Sequence, residues 1–312
     1  MCVSIIIPCY NAGPWLAETL ESALAQTWPD KEIIVVNDGS RDNSLEIARS
    51  FAARGVTVID QPNRGGSAAR NRGLEAARGT FVQFLDADDL LSPDKIAAQV
   101  ELLAEWPSGT LATCAWGRFE RDPRTARFVD DSVCQDFAAL DFLLHCADTG
   151  TMMHPAAWLV PRAVAANAGP WNETLSLNDD GEYFCRVVLA SAGLAFSRTG
   201  RSFYRSGLAD SLSQRRSVPA RHSQYRSIEL IEAHLLATED SPRTRQAAAN
   251  HYQRFIHDFF PRPADLMQAA ERRIALLGGA TRPEPAMGPR TRLLARVFGW
   301  RNVWRLKDRL HR

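Results

Sequence analysis

The sequence predicts an α/β protein, and two observations predict it. Over residues 1–105, short apolar runs of strand character alternate with helical stripes, the pattern of a mainly parallel sheet flanked by crossover helices. Polar loops follow each of the first four runs, at the strand ends where an open α/β sheet places its ligands.

Each element follows from local chemistry. Val3-Ser4-Ile5-Ile6-Ile7-Pro8 reads as the first strand, and Pro14 opens a helix with Leu16, Leu20 and Leu24 on one stripe. Residues 33–36 are a second buried strand, ending at Asn37-Asp38-Gly39-Ser40. Asp42-Asn43-Ser44 caps the next helix, Leu45, Ala48, Phe51 and Ala52 mark its face, and Gly55 stops it. Residues 56–59 are a third strand. Asn63-Arg64-Gly65-Gly66-Ser67 leads into a helix ending near Gly79, and residues 81–85 form the fourth strand. Ser92-Pro93-Asp94 looks like the cap and first turn of another helix.

From about residue 106 the pattern loosens. Strands are expected at 110–119 and 156–161, a turn at Asp122-Pro123-Arg124, and a helix over 179–192 closed by Gly193. After Ser213 the chain reads as helical and polar, with a linker at 278–289. These segments divide into a domain of two halves, 1–105 and 106–212, and a helical C-terminal extension, 213–312.

Composition narrows the function classes. At 312 residues the chain can bury a sizeable core, and its 45% apolar and 23% charged residues are those of a globular protein rather than a disordered one. A formal net charge of +1 supplies no field that draws the protein to nucleic acid. Cys2, Cys9, Cys114, Cys134, Cys146 and Cys185 form no CxxC pair, so free thiols in a reducing compartment are expected. The N-terminus lacks a basic n-region, and no apolar run approaches the roughly 18 residues of a membrane-spanning helix. The expected location is cytoplasmic.

Phe84-Leu85-Asp86-Ala87-Asp88-Asp89 ends the fourth strand in three carboxylates. Such oxygen ligands suit Mg²⁺ or Mn²⁺, which keep waters and bridge to phosphates. The plain alternative is a polar turn. Tyr10, at the end of the first strand, offers a ring on which a base can stack. Asp38, ending the second, can accept from a uracil imide or a ribose hydroxyl. Arg64, Arg70 and Arg72 surround a glycine pair at a helix entrance, where guanidinium forks and backbone N–H groups hold phosphate oxygens. Singly these are a packed ring, a common turn and a solvated basic face. In order, on successive strands, they converge on one crevice for a nucleoside diphosphate.

Together with Pro8-Cys9-Tyr10-Asn11, Asn37-Asp38-Gly39-Ser40 and Arg64-Gly65-Gly66-Ser67-Ala68-Ala69-Arg70-Asn71, the Asp86-Ala87-Asp88-Asp89 motif resembles the family 2 glycosyltransferases. The likeness is close over the first half-domain and looser to about residue 212. It implies a Rossmann-like GT-A fold and transfer of a sugar, with inversion, from a nucleoside diphosphate donor that is usually UDP-linked. It also implies that Pro8, Tyr10, Asp38, Arg64, Arg70, Asp86 and Ala87 line the nucleotide sugar, and that Asp86 and Asp88 hold Mn²⁺ or Mg²⁺. Asp89 is then left to start the turn toward Ser92. Asn178-Asp179-Asp180-Gly181-Glu182 resembles the family's acidic segment at a helix head. By alignment Asp180 is the base, with Asp179 and Glu182 as alternatives; the same acids would also serve simply to complement the helix dipole. Residues 203–211 resemble a loop that closes over the diphosphate, often with a histidine. No histidine stands there, and Arg205 offers a guanidinium instead.

The resemblance further implies a glycan or lipid-linked acceptor and a role in surface polysaccharide or lipid-linked glycan synthesis. Two other readings use the same crevice: a non-catalytic nucleotide-sugar-binding protein, and a nucleotidyltransferase making an NDP-sugar, whose Gly-rich, Lys-containing first loop is missing. A dinucleotide-dependent oxidoreductase lacks its G-x-G-x-x-G. His154 reads as a packed or surface histidine, with an acceptor-pocket role as the other reading. Residues 290–312 interleave arginines with Leu293, Leu294, Val297, Phe298, Trp300 and Trp304 against the single acid Asp308. Such a tail either lies in an anionic membrane interface, at the inner face of the plasma membrane, or packs on the protein with its arginines solvated.

Overall fold

The protein's computed structural model describes residues 1–128, 132–208, 217–281, 285 and 287–310. The chain divides into two compact units, residues 1–142 with 151–214, and residues 143–150 with 215–312.

The strands in chain order are β1 (Val3–Cys9), β2 (Lys31–Asp38), β3 (Val56–Gln61), β4 (Phe81–Phe84), β5 (Leu90–Leu91), β6 (Leu111–Phe119), β7 (Arg127–Phe128), β8 (Val160–Pro161) and β9 (Leu194–Arg205). The helices of the first unit are α1 (Leu16–Leu24), α2 (Ser44–Ser50), α3 (Gly66–Ala76), α4 (Lys95–Ala104), α5 (Ala139–Thr149, which continues into the second unit), α6 (Arg162–Ala168) and α7 (Asp179–Leu189).

One sheet has the order β3-β2-β1-β4-β8, parallel except for the edge strand β8. Its central strands are Ile- and Val-rich because both faces are covered: Val3, Ile5, Ile6, Ile7, Val35 and Val36 are all buried. Leu16 and Leu20 of α1 and Ala48 of α2 join the same core. Helix α3 approaches β1 so closely that a Cβ on Gly73 would lie 2.3 Å from the Ile6 side chain. Strand order reverses at β1, whose neighbours β2 and β4 lead away in opposite directions. A crevice therefore opens at the carboxyl ends of β1 and β4, where ligands of doubly wound sheets lie.

The second sheet has the order β5-β9-β6-β7, with β6 and β9 parallel and a register shift between Cys114 and Ala115. The long strand β9 has no counterpart in the sequence reading. Ser197, Arg198, Thr199 and Gly200 interrupt its alternation, and Gly200 (φ +77°) passes 2.6 Å from the Lys95 Cα, measured to an added Cβ. The expected strand at 156–161 is a correction: Pro155–Ala157 forms a 3₁₀ turn, with Ala157 N–H donating to His154 O (2.9 Å), and pairing is confined to a bridge from Leu159 to Ala112 and the strand Val160–Pro161. Proline at its head favours that turn over a ladder.

The second unit contains α8 (Val218–Thr238), α9 (Pro242–Phe259), α10 (Ala264–Leu276), α11 (Pro289–Phe298) and α12 (Trp300–Leu310). Ile228, Ile231, Leu235, Ala248, Phe255 and Ile256 form its core. Buried Glu232 accepts from Tyr252 Oη (2.7 Å) and Arg273 Nε (2.8 Å), so its charge is paired.

Candidate active site

The crevice begins with β1 and β2. Asn11 adopts a left-handed conformation (φ 50°); its Oδ1 accepts from Arg41 N–H (2.8 Å) and its own N–H donates to Ser40 Oγ (3.0 Å). Ala12 N–H donates to Ser44 Oγ (2.8 Å), and Gly13 N–H to Asp42 Oδ2 (2.9 Å). The first two loops are thus laced together, and Tyr10 is left 44% exposed between them and the solvent. Pro8 sits within β1, opposite Val36.

Asp38 is buried beneath the third loop. Its carboxylate accepts from Arg64 N–H (2.9 Å), Gly65 N–H (2.8 Å) and Gln61 Nε2 (2.8 Å). Gly39 (φ +67°) permits this approach, since a Cβ there would lie 2.7 Å from Asn63 N. Asp38 therefore fixes the entrance to α3. The Arg64 side chain is exposed and pairs with Glu173 (2.9 Å), while Arg72 pairs with Glu75 on the helix surface rather than facing the crevice.

Arg70 joins three elements. Its Nη2 donates to Asp86 Oδ1 (2.7 Å), its Nη1 to Asp179 Oδ2 (3.3 Å), and its guanidinium stacks over Trp171, 4.6 Å from the ring centre. Burial opposes its charge, but Asp86, Asp179 and Asp180 outweigh burial and raise its pKa. Ser67 Oγ also donates to Asp179 Oδ2 (3.0 Å). The end of β4, the head of α3 and the head of α7 therefore meet at one cation.

Around that cation the carboxylates have separate environments. Asp88 is pushed up to about 7, first by burial and then by Asp89 and Asp86. Half-buried Asp180 is raised to about 6 by burial and by Asp179, with Arg70 pulling it back. Asp89 is 1% exposed; its Oδ2 meets His154 Nε2 at 2.7 Å and its Oδ1 accepts from Arg205 N–H (2.7 Å). Burial works against charge on His154, but Asp89, Asp86 and Asp88 raise its pKa. Its Nδ1 is buried without a partner among the described residues, and its ring packs against Trp116 and Tyr204. Ala87 is buried, and its carbonyl accepts from Thr19 Oγ1 (3.0 Å).

Three expectations change. Asp89 does more than begin a turn: it anchors the acidic loop to His154 and β9. Arg205 is not available to a phosphate. Its side chain is 1% exposed, Nε donates to Asp88 O (2.8 Å), Nη2 pairs with Glu18 (2.6 Å), and the guanidinium lies between Trp15 and Phe119. It braces the loop from behind. Residues 209–211 of the segment expected to close over the diphosphate lie outside the described residues. Glu182 is buried and bidentate to Arg186 (2.7 and 2.8 Å), which reaches on to the Ala168 and Pro170 carbonyls, so the structure does not bring it to the carboxylate group. Sequence spacing put it on the same helical turn; its (i, i+4) arginine was the signal that it faces elsewhere. His154 and its bond to Asp89 join residues 65 positions apart, which no local pattern could show.

Residues 4–141 match the model of glycosyl transferase family 2. A 93-residue stretch is 50% identical to the uncharacterized glycosyltransferase YibD of Escherichia coli, covering 29% of this chain and 27% of that one. The matched stretches span 27%, 36% and 59% of three curated glycosyltransferase relatives. Among solved structures, Staphylococcus aureus TarS residues 1–349, crystallised with UDP-GlcNAc, superposes with a TM-score of 0.72 at 20% identity, over 88% of this chain and 84% of that one. The mannosyltransferase PcManGT of Pyrobaculum calidifontis, in complex with GDP-Man and Mn²⁺, superposes with a TM-score of 0.56 at 18% identity, over 95% and 79%. At these identities the likeness is one of fold. The α/β unit thus has the GT-A fold of these solved glycosyltransferases, and residues 4–141 resemble glycosyl transferase family 2.

Proposed function

We propose that the protein is an inverting, metal-dependent glycosyltransferase that moves a sugar from a nucleoside diphosphate donor, UDP-linked in this reading, to a hydroxyl of a glycan or lipid-linked acceptor. One observation carries it: Arg70 holds Asp86 of the acidic loop and Asp179 at the head of α7 on a single guanidinium. Groups suited to a diphosphate and groups suited to a proton are thereby neighbours. The UDP-GlcNAc and GDP-Man bound by the fold's solved relatives support a nucleotide-sugar donor.

The donor set fits a divalent cation. Asp86, Asp89 and His154 each place a ligand atom within 4.8 Å of the others, and Asp88 beside them carries a raised pKa that a cation would relieve. The family resemblance makes Asp86 and Asp88 the proposed ligands, and Asp89, its oxygens engaged by His154 and Arg205, would fix their loop. A bound Mn²⁺ or Mg²⁺ supplies neutralisation of the charge that grows on the leaving diphosphate. The chain's own residues do the rest. Tyr10 stacks on the base, and Pro8, Asp38 and Arg64 form the nucleotide wall around it. Arg70 turns from its carboxylates to a phosphate, and Ala87 keeps the acidic loop close against α1. Asp180, its proton affinity raised by burial, accepts the acceptor hydroxyl proton as that oxygen attacks the anomeric carbon from the face opposite the leaving group. Direct displacement inverts the configuration without a covalent sugar intermediate. A cytoplasmic site and a role in surface glycan synthesis belong to the same reading.

The test is release of nucleoside diphosphate from a panel of NDP-sugars with Mn²⁺, by the wild type and Asp88→Ala. Metal-dependent release that the substitution abolishes supports the reading. Unchanged turnover in a folded Asp88→Ala protein would sink the metal assignment, and release of pyrophosphate from UTP would replace transfer with nucleotidyl chemistry.

A further inference from the structure

We propose that the exposed apolar face of α11 docks the protein onto an anionic lipid surface. The C-terminal tail divides into two helices with opposite fates. In α12, Trp300 (8% exposed) and Val303 (6%) are buried. Trp300 packs edge-on against His257 (5.5 Å) and Phe260 (5.2 Å), Arg301 pairs with Glu271 (2.6 Å), and the tail's single acid, Asp308, pairs with Arg262 (2.8 Å). This helix is anchored.

In α11 only Ala295 is turned inward among residues 293–298. Leu293 is 65% exposed, Leu294 50%, Val297 71% and Phe298 61%. Positions 293, 294, 297 and 298 fall on one arc of a helix at 100° per residue, a contiguous stripe rather than scattered apolar residues. Leu306 of α12 is exposed as well (58%). Arg296, on the opposite flank of that arc, and Arg305 and Arg309 of α12 are exposed.

Charge decides the occupant. Seven arginines and lysines stand between 290 and 309, and Asp308, the one acid among them, is already neutralised. Against a second copy of the same helix these cations would repel. Against anionic headgroups they attract, while Leu, Val and Phe enter the acyl boundary, the arrangement by which a helix lies in an interface without crossing it. No described helix is long and apolar enough to span a bilayer.

The experiment is sedimentation of the full chain with vesicles of phosphatidylcholine alone and of phosphatidylcholine mixed with phosphatidylglycerol, at low and raised salt, beside size-exclusion chromatography without lipid. Wild type should bind the mixed vesicles, leave the neutral ones and weaken with salt, a result that needs no variant. Val297→Asp/Phe298→Asp should lower partition more than roughly tenfold. Arg296→Glu should lower it roughly fivefold or more, about one basic side chain's share. Both sites are exposed, so thermal unfolding should match wild type. Failure of wild type to bind the mixed vesicles, or full binding by the folded double variant, overturns the proposal. A lipid-independent dimer broken by the same double variant also overturns it and assigns the face to a second copy.

Discussion

At Asp180 burial and Asp179 raise the carboxyl to about 6 while Arg70 draws it down. The sign follows directly: below that value the group is protonated and cannot accept the acceptor's proton. Transfer should therefore rise with pH through about 6 and level off above it. Asp180→Asn should keep donor affinity, lose roughly 10²–10⁴ in kcat and abolish the acidic limb of the pH–rate profile. Parallel donor binding and turnover measurements check this, and a variant that loses donor affinity alone would move the base to Asp179. The acidic segment at the head of α7 was readable in the sequence. The separation of Asp180 from Glu182 was not, because the pairing of Glu182 with Arg186 depends on which way α7 rolls against its neighbours.

The elements act on the site through their ends. Strand β9 supplies Arg205, which holds the Asp88 carbonyl, Glu18 and two aromatic rings, while its backbone N–H holds Asp89. Arg205→Ala should cost about 2–3 kcal/mol, somewhat less than a fully buried pair because Glu18 is half exposed. It should also weaken Mn²⁺ binding by loosening the acidic loop. Denaturant unfolding and metal titration measure the two effects, and unchanged metal affinity would confine Arg205 to stability. Strands β1 to β4 were legible because a parallel sheet covered on both faces writes itself as apolar runs. Strand β9 was hidden because its pairing skips residues 198–200 at left-handed Gly200, so its burial follows neither strand nor helix period.

On the scale of the whole molecule, the raised pKa values of Asp88 (about 7) and Asp180 (about 6) mean that these two sites hold protons in the folded state that the unfolded chain would release. Their contribution is present below the unfolded carboxylate range and is lost as pH rises through those values. These two groups should therefore lower stability as pH rises from about 4 to about 7, while His251, held down to about 4 by burial, works in the opposite sense. Mn²⁺ with a matching NDP-sugar should restore it, raising Tm more at the higher pH, and by an amount equivalent to about 2.7 kcal/mol at a hundredfold excess over Kd. Thermal unfolding across UDP-, GDP- and dTDP-sugars would identify the donor, and equal shifts at both pH values would dissociate the carboxylates from metal binding.

The sequence by itself determined the α/β class, the order of the loops and the carboxylates of the acidic motif, because strand burial and glycine-bearing turns are written locally. Tertiary structure decided which of those groups face one another. It set Arg70 between Asp86 and Asp179, turned Arg205 inward, joined Asp89 to His154, and divided the basic tail into a packed helix and an uncovered one. Each of these depends on contacts between residues far apart in the chain, where burial and pairing energies, rather than local propensity, choose the partner.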